Sequence, residues 1–246
     1  MGELLKFTEG LIPGRVPQSN SDFYDLNYFA GKKANKGIQF PTDGSFLNPE
    51  SEYQNKFKDL LDWIGMYTSE GVILDVGTGP GHLKYWSDKL SLPYTVIGTD
   101  ISSSLLHSCY NLNKQASVIS NTYQLPFADE KFQAVLFSDI LEHIWPEQAL
   151  LSVKEAHRIL QSNNNIFVNI PNRESWSNAA LNDEGHVWLP TIDEVSNMLK
   201  LGGFDASSIN TFTRGFPNSN EFRAEHGYDL KLPEGGRSIF VTAKKS

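Results

Sequence analysis

The sequence is poor in the residues on which several classes of protein depend. It contains one cysteine, Cys109, so no internal disulfide can form and a secreted disulfide scaffold is excluded. No cysteines and histidines have the spacing of a structural zinc site, and no metal is expected. The chain also lacks both a membrane helix of roughly 18 apolar residues and the apolar run of a signal peptide. We therefore expect a cytoplasmic protein that does not insert into a membrane.

Positive charge is also scarce. The 21 Lys and Arg residues are outnumbered by 29 Asp and Glu residues, and the formal net charge of −8 repels a phosphate backbone. The densest basic cluster, Lys32, Lys33 and Lys36, is typical of a solvated loop, so we expect no nucleic-acid partner. With 39% hydrophobic residues, the 246-residue chain can fill one sizeable core. One α/β domain with an appendage is the expected organisation.

The chain divides into two parts that differ in composition and in the pattern of their apolar residues. The first 70 residues hold prolines, glycines and aromatic residues without a period, until residues 53–64 show the spacing of an amphipathic helix. From residue 72 onward, short apolar runs alternate with helical stretches, which is the pattern of a parallel sheet with crossover helices. We predict strands at 72–76, 94–99, 116–119, 134–137, 166–170, near 207–213, and at 238–243. Helices should follow Gly81, Ser102, Pro146 and Thr191, and residues 161–165 should form a turn.

The sharpest feature is a glycine-rich turn that follows the first apolar strand and contains Gly77, Gly79 and Gly81. Glycines let the backbone bend tightly and let a ligand approach it, at the carboxyl end of a strand where open α/β sheets bind ligands. A dinucleotide-binding G-x-G-x-x-G motif would place its third glycine at position 82, where His82 stands. A nicotinamide-dependent oxidoreductase is therefore the weaker alternative.

The G-x-G-x-G turn, preceded by Asp75, resembles the first motif of class I S-adenosylmethionine-dependent methyltransferases. Asp100 at the end of the second strand matches the next motif. The L-P-F and L-E-H segments between Leu125 and His143 are similar to those of the small-molecule branch known as methyltransferase type 11. The resemblance covers about residues 72–204, which is over half of the chain.

This resemblance implies a Rossmann-like three-layer sandwich. Its sheet has seven strands, six parallel and the last one antiparallel. Residues 71–246 would then form the S-adenosylmethionine-binding domain, and residues 1–70 a helical and loop cap over the substrate side.

The resemblance also implies which residues contact S-adenosylmethionine or its product S-adenosylhomocysteine. Asp100 would accept hydrogen bonds from both ribose hydroxyls, although an acidic charge at a helix start is its structural alternative. Asn121 stands where the family usually carries an Asp that contacts the adenine amino group, and its amide oxygen can accept the same bond. The expected cofactor-binding residues are Asp75, Gly77, Thr78, Gly79, Gly81, Asp100, Ile101, Asn121, Thr122, Ser138 and Asp139.

Two histidines are candidates for the chemical step. Methyl transfer from a sulfonium is an in-line displacement, so the protein mainly aligns the reactants and excludes water, but a hydroxyl acceptor benefits from a general base. His143 and His186 could serve as that base, and a packing role is the alternative for each. We expect O-methylation of a small-molecule acceptor. A catalytically inert module that binds the cofactor is the alternative, because no single catalytic residue marks this family. The acceptor and the oligomeric state stay open.

Overall fold

The computed structural model describes residues 10–17, 48–50, 56–175, 183–214 and 238–246. The strands are β1 Gly71–Val76, β2 Tyr94–Asp100, β3 Ser117–Ile119, β4 Phe132–Ser138, β5 Leu160–Pro171, β6 Asn210–Arg214 and β7 Ser238–Lys244. The α-helices are α1 Lys56–Gly65, α2 His82–Lys89, α3 Ser103–Asn113, α4 Pro146–Ile159 and α5 Ile192–Leu201. Among these described residues, no helix is long and apolar enough to cross a membrane.

The seven strands form one sheet in the order β3-β2-β1-β4-β5-β7-β6. The first five strands pair in parallel, whereas β7 runs antiparallel to both of its neighbours, β5 and β6. Strand β6 is therefore parallel to β5, and β7 alone is reversed. This confirms the predicted fold class, including the seven strands and the reversed last one.

Apolar residues on both faces of the sheet explain the continuous apolar runs in the sequence. Successive side chains of a strand point to opposite faces. Thus Ile73 and Leu136 pack on the side that carries α1 and α2, while Leu74 and Phe137 pack on the side that carries α4 and α5. Helices on both faces give the predicted three layers.

Helix α1 packs into the core of the sheet. Its side chains Leu60, Leu61 and Ile64 are at most 1% exposed. Trp63 meets the ring of Phe167 edge to face, with the ring centroids 5.0 Å apart. The domain boundary at residue 70 stays a prediction. Helix α1, which lies within the predicted cap region, packs as part of the sheet domain.

Local signals placed the helix starts correctly. Pro146 is the first residue of α4, where the missing N–H of proline leaves no carbonyl unpaired. At α5, the Thr191 hydroxyl accepts from the Glu194 N–H at 3.3 Å, and the Glu194 carboxylate accepts from the Thr191 N–H at 2.7 Å. The capping box predicted from the sequence is therefore present.

The predicted turn at residues 161–165 is wrong. Helix α4 passes directly into β5, which begins at Leu160 and continues through this segment to Pro171. Asn163 does adopt left-handed backbone, with φ 66°. However, its N–H donates to the carbonyl of Lys245 at 2.8 Å, so the asparagines continue the pairing with the end of the chain. The extra residues are taken up as a register shift between β4 and β5, as in a β-bulge.

Candidate active site

The glycine turn bends back from β1 over the end of β2. The N–H groups of Gly77 and Thr78 both donate to the carbonyl of Thr99, at 2.8 and 2.9 Å. Gly77, Gly79 and Gly81 have φ values of 73°, 53° and 84°, which side chains rarely tolerate. Gly81 also precedes the first turn of α2. The turn therefore presents bare backbone and a helix start at the carboxyl end of β1, as an anionic or nucleotide-like ligand requires.

A buried chain of hydrogen bonds supports the turn from below. The Thr78 hydroxyl donates to Asp75 at 2.7 Å and accepts from the Gln115 side-chain amide at 3.1 Å. All three side chains are at most 4% exposed. Because the hydroxyl and the N–H of Thr78 are both bonded inside the protein, Thr78 positions the turn.

Asp100 joins the glycine turn to the start of α3. One carboxylate oxygen accepts from the Gly79 N–H at 3.0 Å, and the other accepts from the Ser102 N–H at 2.8 Å. An ionised carboxylate has about four acceptor positions, and the backbone of Ile101 also acts on this one, so at least one lone pair remains for a ligand. This geometry suits a residue that both holds the turn and accepts a hydrogen bond from a ligand.

Burial raises the pKa of both acidic residues at the turn. The pKa of Asp75 rises to about 7, mainly through desolvation, although the Thr78 hydroxyl opposes the shift. That of Asp100 rises to about 6 for the same reason, against the stabilising N–H groups of Ser102 and Gly79. A carboxyl whose pKa is higher in the folded state stabilises the fold at low pH, and this contribution is lost as the pH rises through the folded-state pKa. At neutral pH Asp100 is therefore mostly ionised and Asp75 about half ionised, which favours a ligand that donates hydrogen bonds to Asp100.

Three further candidate residues lie beyond the ends of β2 and β3. Ile101 directly follows β2, and the Ser120 N–H donates to the carbonyl of Asp100 at 3.1 Å, which holds the next loop against it. In that loop, the Asn121 side chain is exposed, and the Thr122 hydroxyl pairs with Ser152 at 2.7 Å. The Asn121 side chain is thus accessible to a ligand, whereas that of Thr122 is tied to α4.

The end of β4 lies beside the glycine turn, because Phe137 pairs with Val76 of β1. Here the Ser138 hydroxyl donates to Asn169 at 3.4 Å, and the Asp139 N–H donates to the carbonyl of Asn169 at 2.9 Å. The Asp139 carboxylate forms an ion pair with Lys56 of α1. These contacts give the carboxyl edge of β4 a fixed shape next to the turn.

The two candidate histidines meet at the same edge. The ring centroids of His143 and His186 are 4.7 Å apart, although 43 positions separate them in the sequence. The loop that carries His186 is docked on the 3₁₀ turn after β4, because the Val187 N–H donates to the carbonyl of Glu142 at 2.9 Å. Burial lowers the pKa of His143 to about 4, so its imidazole is neutral at neutral pH.

Part of the N-terminal region lies against this loop. Leu11 and Trp188 form an antiparallel bridge, and the Ile12 N–H donates to the carbonyl of Val187 at 2.9 Å. The Leu189 N–H in turn donates to the carbonyl of Gly10 at 2.9 Å. The segment 10–12 therefore covers the loop next to His186, which agrees with a cap position for this short part of the chain.

Sequence reasoning missed three residues of the site. Glu142 is fully buried against His186, Lys56 pairs with Asp139, and Gln115 bonds Thr78. The sequence did offer a signal for Glu142, because this residue directly precedes the candidate base His143 in the L-E-H segment. Nothing local marks Lys56 or Gln115, because their partners are distant in the sequence.

The sheet order, the reversed β7 and the glycine turn after β1 together define the fold of class I S-adenosylmethionine-dependent methyltransferases. A methyltransferase structure from Archaeoglobus fulgidus is 19% identical with a TM-score of 0.60, and the match covers 78% of this chain and 98% of that one. Haemonchus contortus phosphoethanolamine N-methyltransferase 2, solved with S-adenosylmethionine, is 14% identical with a TM-score of 0.64, covering 90% and 60%. At these identities the likeness shows the fold alone.

Residues 74–168 match the family model described as a methyltransferase domain. This match covers less than half of the chain, and the structures that share the fold include methyltransferases solved with S-adenosylmethionine, the methyl donor that goes with this domain. This favours S-adenosylmethionine over the nicotinamide cofactor considered from the sequence. An uncharacterised protein of Methanocaldococcus jannaschii, MJ0638, is 32% identical over 120 residues, or 49% of this chain and 46% of that protein. The chain thus spans about half the length of this relative.

Proposed function

We propose that this methyltransferase transfers the methyl group of S-adenosylmethionine to an oxygen of a small-molecule acceptor. The observation that carries the proposal is the position of His143 and His186. They meet at the carboxyl end of β4, and β4 is the direct neighbour of the strand that ends in the glycine turn. An acceptor beside the cofactor would therefore have two imidazoles within reach.

Different residues around the turn would contact different parts of the cofactor. Asp100 would accept the ribose hydroxyls with the lone pairs that its backbone donors leave over. Asp75 would act by charge from below the turn, because its carboxylate is 2% exposed and accepts from Thr78. Asn121, on the exposed loop after β3, would accept from the adenine amino group. We expect the positive sulfonium to lie toward β4, where Asp139 adds negative charge.

Either His143 or His186 would receive the proton of a hydroxyl acceptor during transfer, and burial makes His143 a weak base by lowering its pKa to about 4. The methyl carbon forms a bond to the acceptor oxygen as its bond to sulfur breaks, so the sulfonium becomes a neutral thioether. The hydroxyl proton leaves to the base. The segment 10–12 and the loop 183–189, paired through their backbones, would wall the acceptor side and keep water out.

A methyl-transfer assay tests this proposal. The purified full chain is incubated with S-adenosylmethionine labelled in its methyl group and a panel of hydroxylated, amine and carboxylate metabolites. Label should pass to a hydroxylated compound. Amines are in the panel because the Haemonchus contortus structure is that of an N-methyltransferase. Transfer to amines alone would refute the oxygen proposal. Cofactor binding without transfer to any acceptor would favour the inert module.

The affinity for S-adenosylmethionine should fall as the pH is lowered through about 6. Below the raised pKa of Asp100, which is about 6, the carboxyl holds a proton that the ribose hydroxyls must displace. The dissociation constant should then rise by up to about tenfold per pH unit. Titration calorimetry in two buffers of different ionisation enthalpy would measure the proton released.

Asp75 can add a second step to this pH dependence. Burial raises its pKa to about 7; the charge of Asp100 adds to this shift and that of Lys56 opposes it. The variant Asp100→Asn separates the two groups, because it removes the step of Asp100 and leaves any step of Asp75, moved to lower pH because the charge of Asp100 no longer raises the Asp75 pKa. An affinity that does not change between pH 5 and 7 in the unmodified protein would contradict the prediction.

A further inference from the structure

Glu142 is an unusual group at the carboxyl edge of the sheet. It is 0% exposed, and neither of its carboxylate oxygens has a hydrogen-bond partner among the residues that the structure describes. Buried polar atoms in folded proteins are almost always paired, and a carboxylate is among the costliest to leave unpaired. Glu142 therefore needs a partner that the described protein atoms do not supply.

Two imidazoles lie against this carboxylate. One ligand atom each from Glu142, His143 and His186 all lie within 4.8 Å of one another. The shortest recorded separation, between Nε2 of His186 and Oε1 of Glu142, is 3.8 Å. Two atoms bonded to one ion at about 2.0–2.2 Å lie about 3.0–3.6 Å apart. Small side-chain rotations would thus bring all three onto one ion.

The surroundings of these three residues are negatively charged. Oδ2 of Asp183 lies 3.8 Å from Nε2 of His186, and Asp139 stands near Glu142. Among the residues that the structure describes, Lys56, which is paired with Asp139, is a cation that acts on Glu142. Asp139 and Asp183 against one ammonium leave an excess of negative charge around Glu142, which favours a bound cation.

The backbone also orients one of the imidazoles. A ring N–H of His143 donates to the backbone carbonyl of Gly185. Metal-binding histidines usually donate their second ring N–H to a carbonyl or carboxylate in this way. A side chain at position 185 would crowd the ring, because a Cβ there would lie 2.7 Å from Nδ1 of His143. Glycine at this position lets the loop approach and hold the imidazole.

We propose that Glu142, His143 and His186 bind one divalent ion of the first transition series. Two imidazole nitrogens and one carboxylate oxygen suit zinc, iron or manganese better than magnesium or calcium, which prefer oxygen ligands alone. Three protein ligands leave coordination positions open. This replaces the expectation from the sequence that no metal is present.

The ion would also bind the acceptor, and this part of the inference rests on the proposed methyl transfer. Bound beside the end of β4, it lies at the edge that carries the glycine turn. With the ion bound, the imidazoles act as its ligands and not as the base. An open coordination position could hold the acceptor oxygen, and the metal would make that hydroxyl acidic enough to lose its proton to solvent before transfer. The acceptor class is then a hydroxyl that has a second oxygen near enough to share the ion.

Metal titration of the full chain without S-adenosylmethionine tests the site. The protein is stripped with a chelator and titrated with Zn²⁺, Mn²⁺, Co²⁺ or Mg²⁺ by calorimetry, and Co²⁺ is also followed by its visible absorption. We expect one equivalent of a transition ion to bind, at least tenfold more tightly than Mg²⁺, and to raise the melting temperature. Glu142→Gln and His186→Gln should each weaken binding by more than the roughly 10–100-fold that loss of an outer-shell partner costs.

His157→Gln is the matched control. His157 lies on α4, with its ring against Phe204 at 5.1 Å, away from the three ligands. Its replacement should leave metal binding unchanged. Glu142→Gln also tests folding, because it removes a buried carboxyl whose oxygens have no partner among the described residues and should leave the metal-free protein at least as stable as the unmodified one.

Three results would overturn the proposal: no transition ion bound at one equivalent, unchanged binding in both ligand variants, or stabilisation by ammonium-bearing compounds but by none of the metals. S-adenosylmethionine binding is measured separately. Failure of the metal site is thereby distinguished from failure of the proposed methyl transfer.

Discussion

Asp100→Ala is expected to weaken S-adenosylmethionine binding by about 100-fold or more. The two ribose hydroxyls would each lose a charge-assisted hydrogen bond, and such bonds contribute about 1.5–3 kcal/mol each. The same replacement frees the Gly79 N–H, which now donates to Asp100 at 3.0 Å, so the glycine turn also loses a support. Calorimetry or a shift of the melting temperature with added cofactor would measure the loss.

Asp205 offers a matched control for the structural part of this effect. Its side chain accepts from the Ser207 N–H at 2.8 Å, the same distance and spacing as the bond from Ser102 to Asp100. It caps a short 3₁₀ turn before β6, away from the carboxyl edges of β1 and β2. Asp205→Ala should lower stability slightly and leave the affinity unchanged. If Asp100→Ala binds the cofactor as tightly as Asp205→Ala, the ribose role of Asp100 is wrong.

The elements of this fold could be predicted because their signals are local. Continuous apolar runs marked strands such as β4 and β5, whose side chains are buried on both faces of the sheet. The capping box formed by Thr191 and Glu194 indicated the start of α5. The turn predicted at 161–165 was wrong for a physical reason. The asparagines of this segment do allow left-handed backbone, but pairing with Lys245 keeps them in the strand. Tertiary pairing thus overrode the local preference.

The parts of the site that sequence reasoning missed depend on contacts between distant segments. Lys56 reaches Asp139 across 83 positions, and Gln115 reaches Thr78 across 37. The burial of Glu142 depends on the loop 183–189, which docks on its carbonyl. The glycine pattern indicated where a cofactor would lie, but only the assembled sheet shows which side chains face one another. The residue types alone therefore could not reveal a carboxylate without a partner.

Gly77→Ala should have the other large effect, on both stability and cofactor affinity. An alanine there must adopt φ 73°, and its Cβ would lie 2.6 Å from Cδ1 and 2.7 Å from Cγ1 of Ile140. Left-handed backbone costs about 1–2 kcal/mol, and overpacking adds about 1–3 kcal/mol. We expect the free energy of unfolding to fall by about 2–5 kcal/mol, and the displaced turn to bind S-adenosylmethionine at least about tenfold more weakly.

The variants Gly14→Ala and Ile140→Ala separate the cost of left-handed backbone from the cost of overpacking at position 77. Gly14 has nearly the same φ, 75°, but no atom lies within 4 Å of a Cβ built on it among the described residues, so Gly14→Ala should show the backbone cost alone. Ile140→Ala removes both close atoms at Gly77. In a double-mutant cycle measured by denaturant unfolding, the pair should cost about 1–2 kcal/mol less than the sum of the single variants. Additive costs would mean that Ile140 is not what crowds position 77. Equal losses in Gly14→Ala and Gly77→Ala would show that backbone conformation, and not close packing against the end of β4, makes glycine necessary in the cofactor turn.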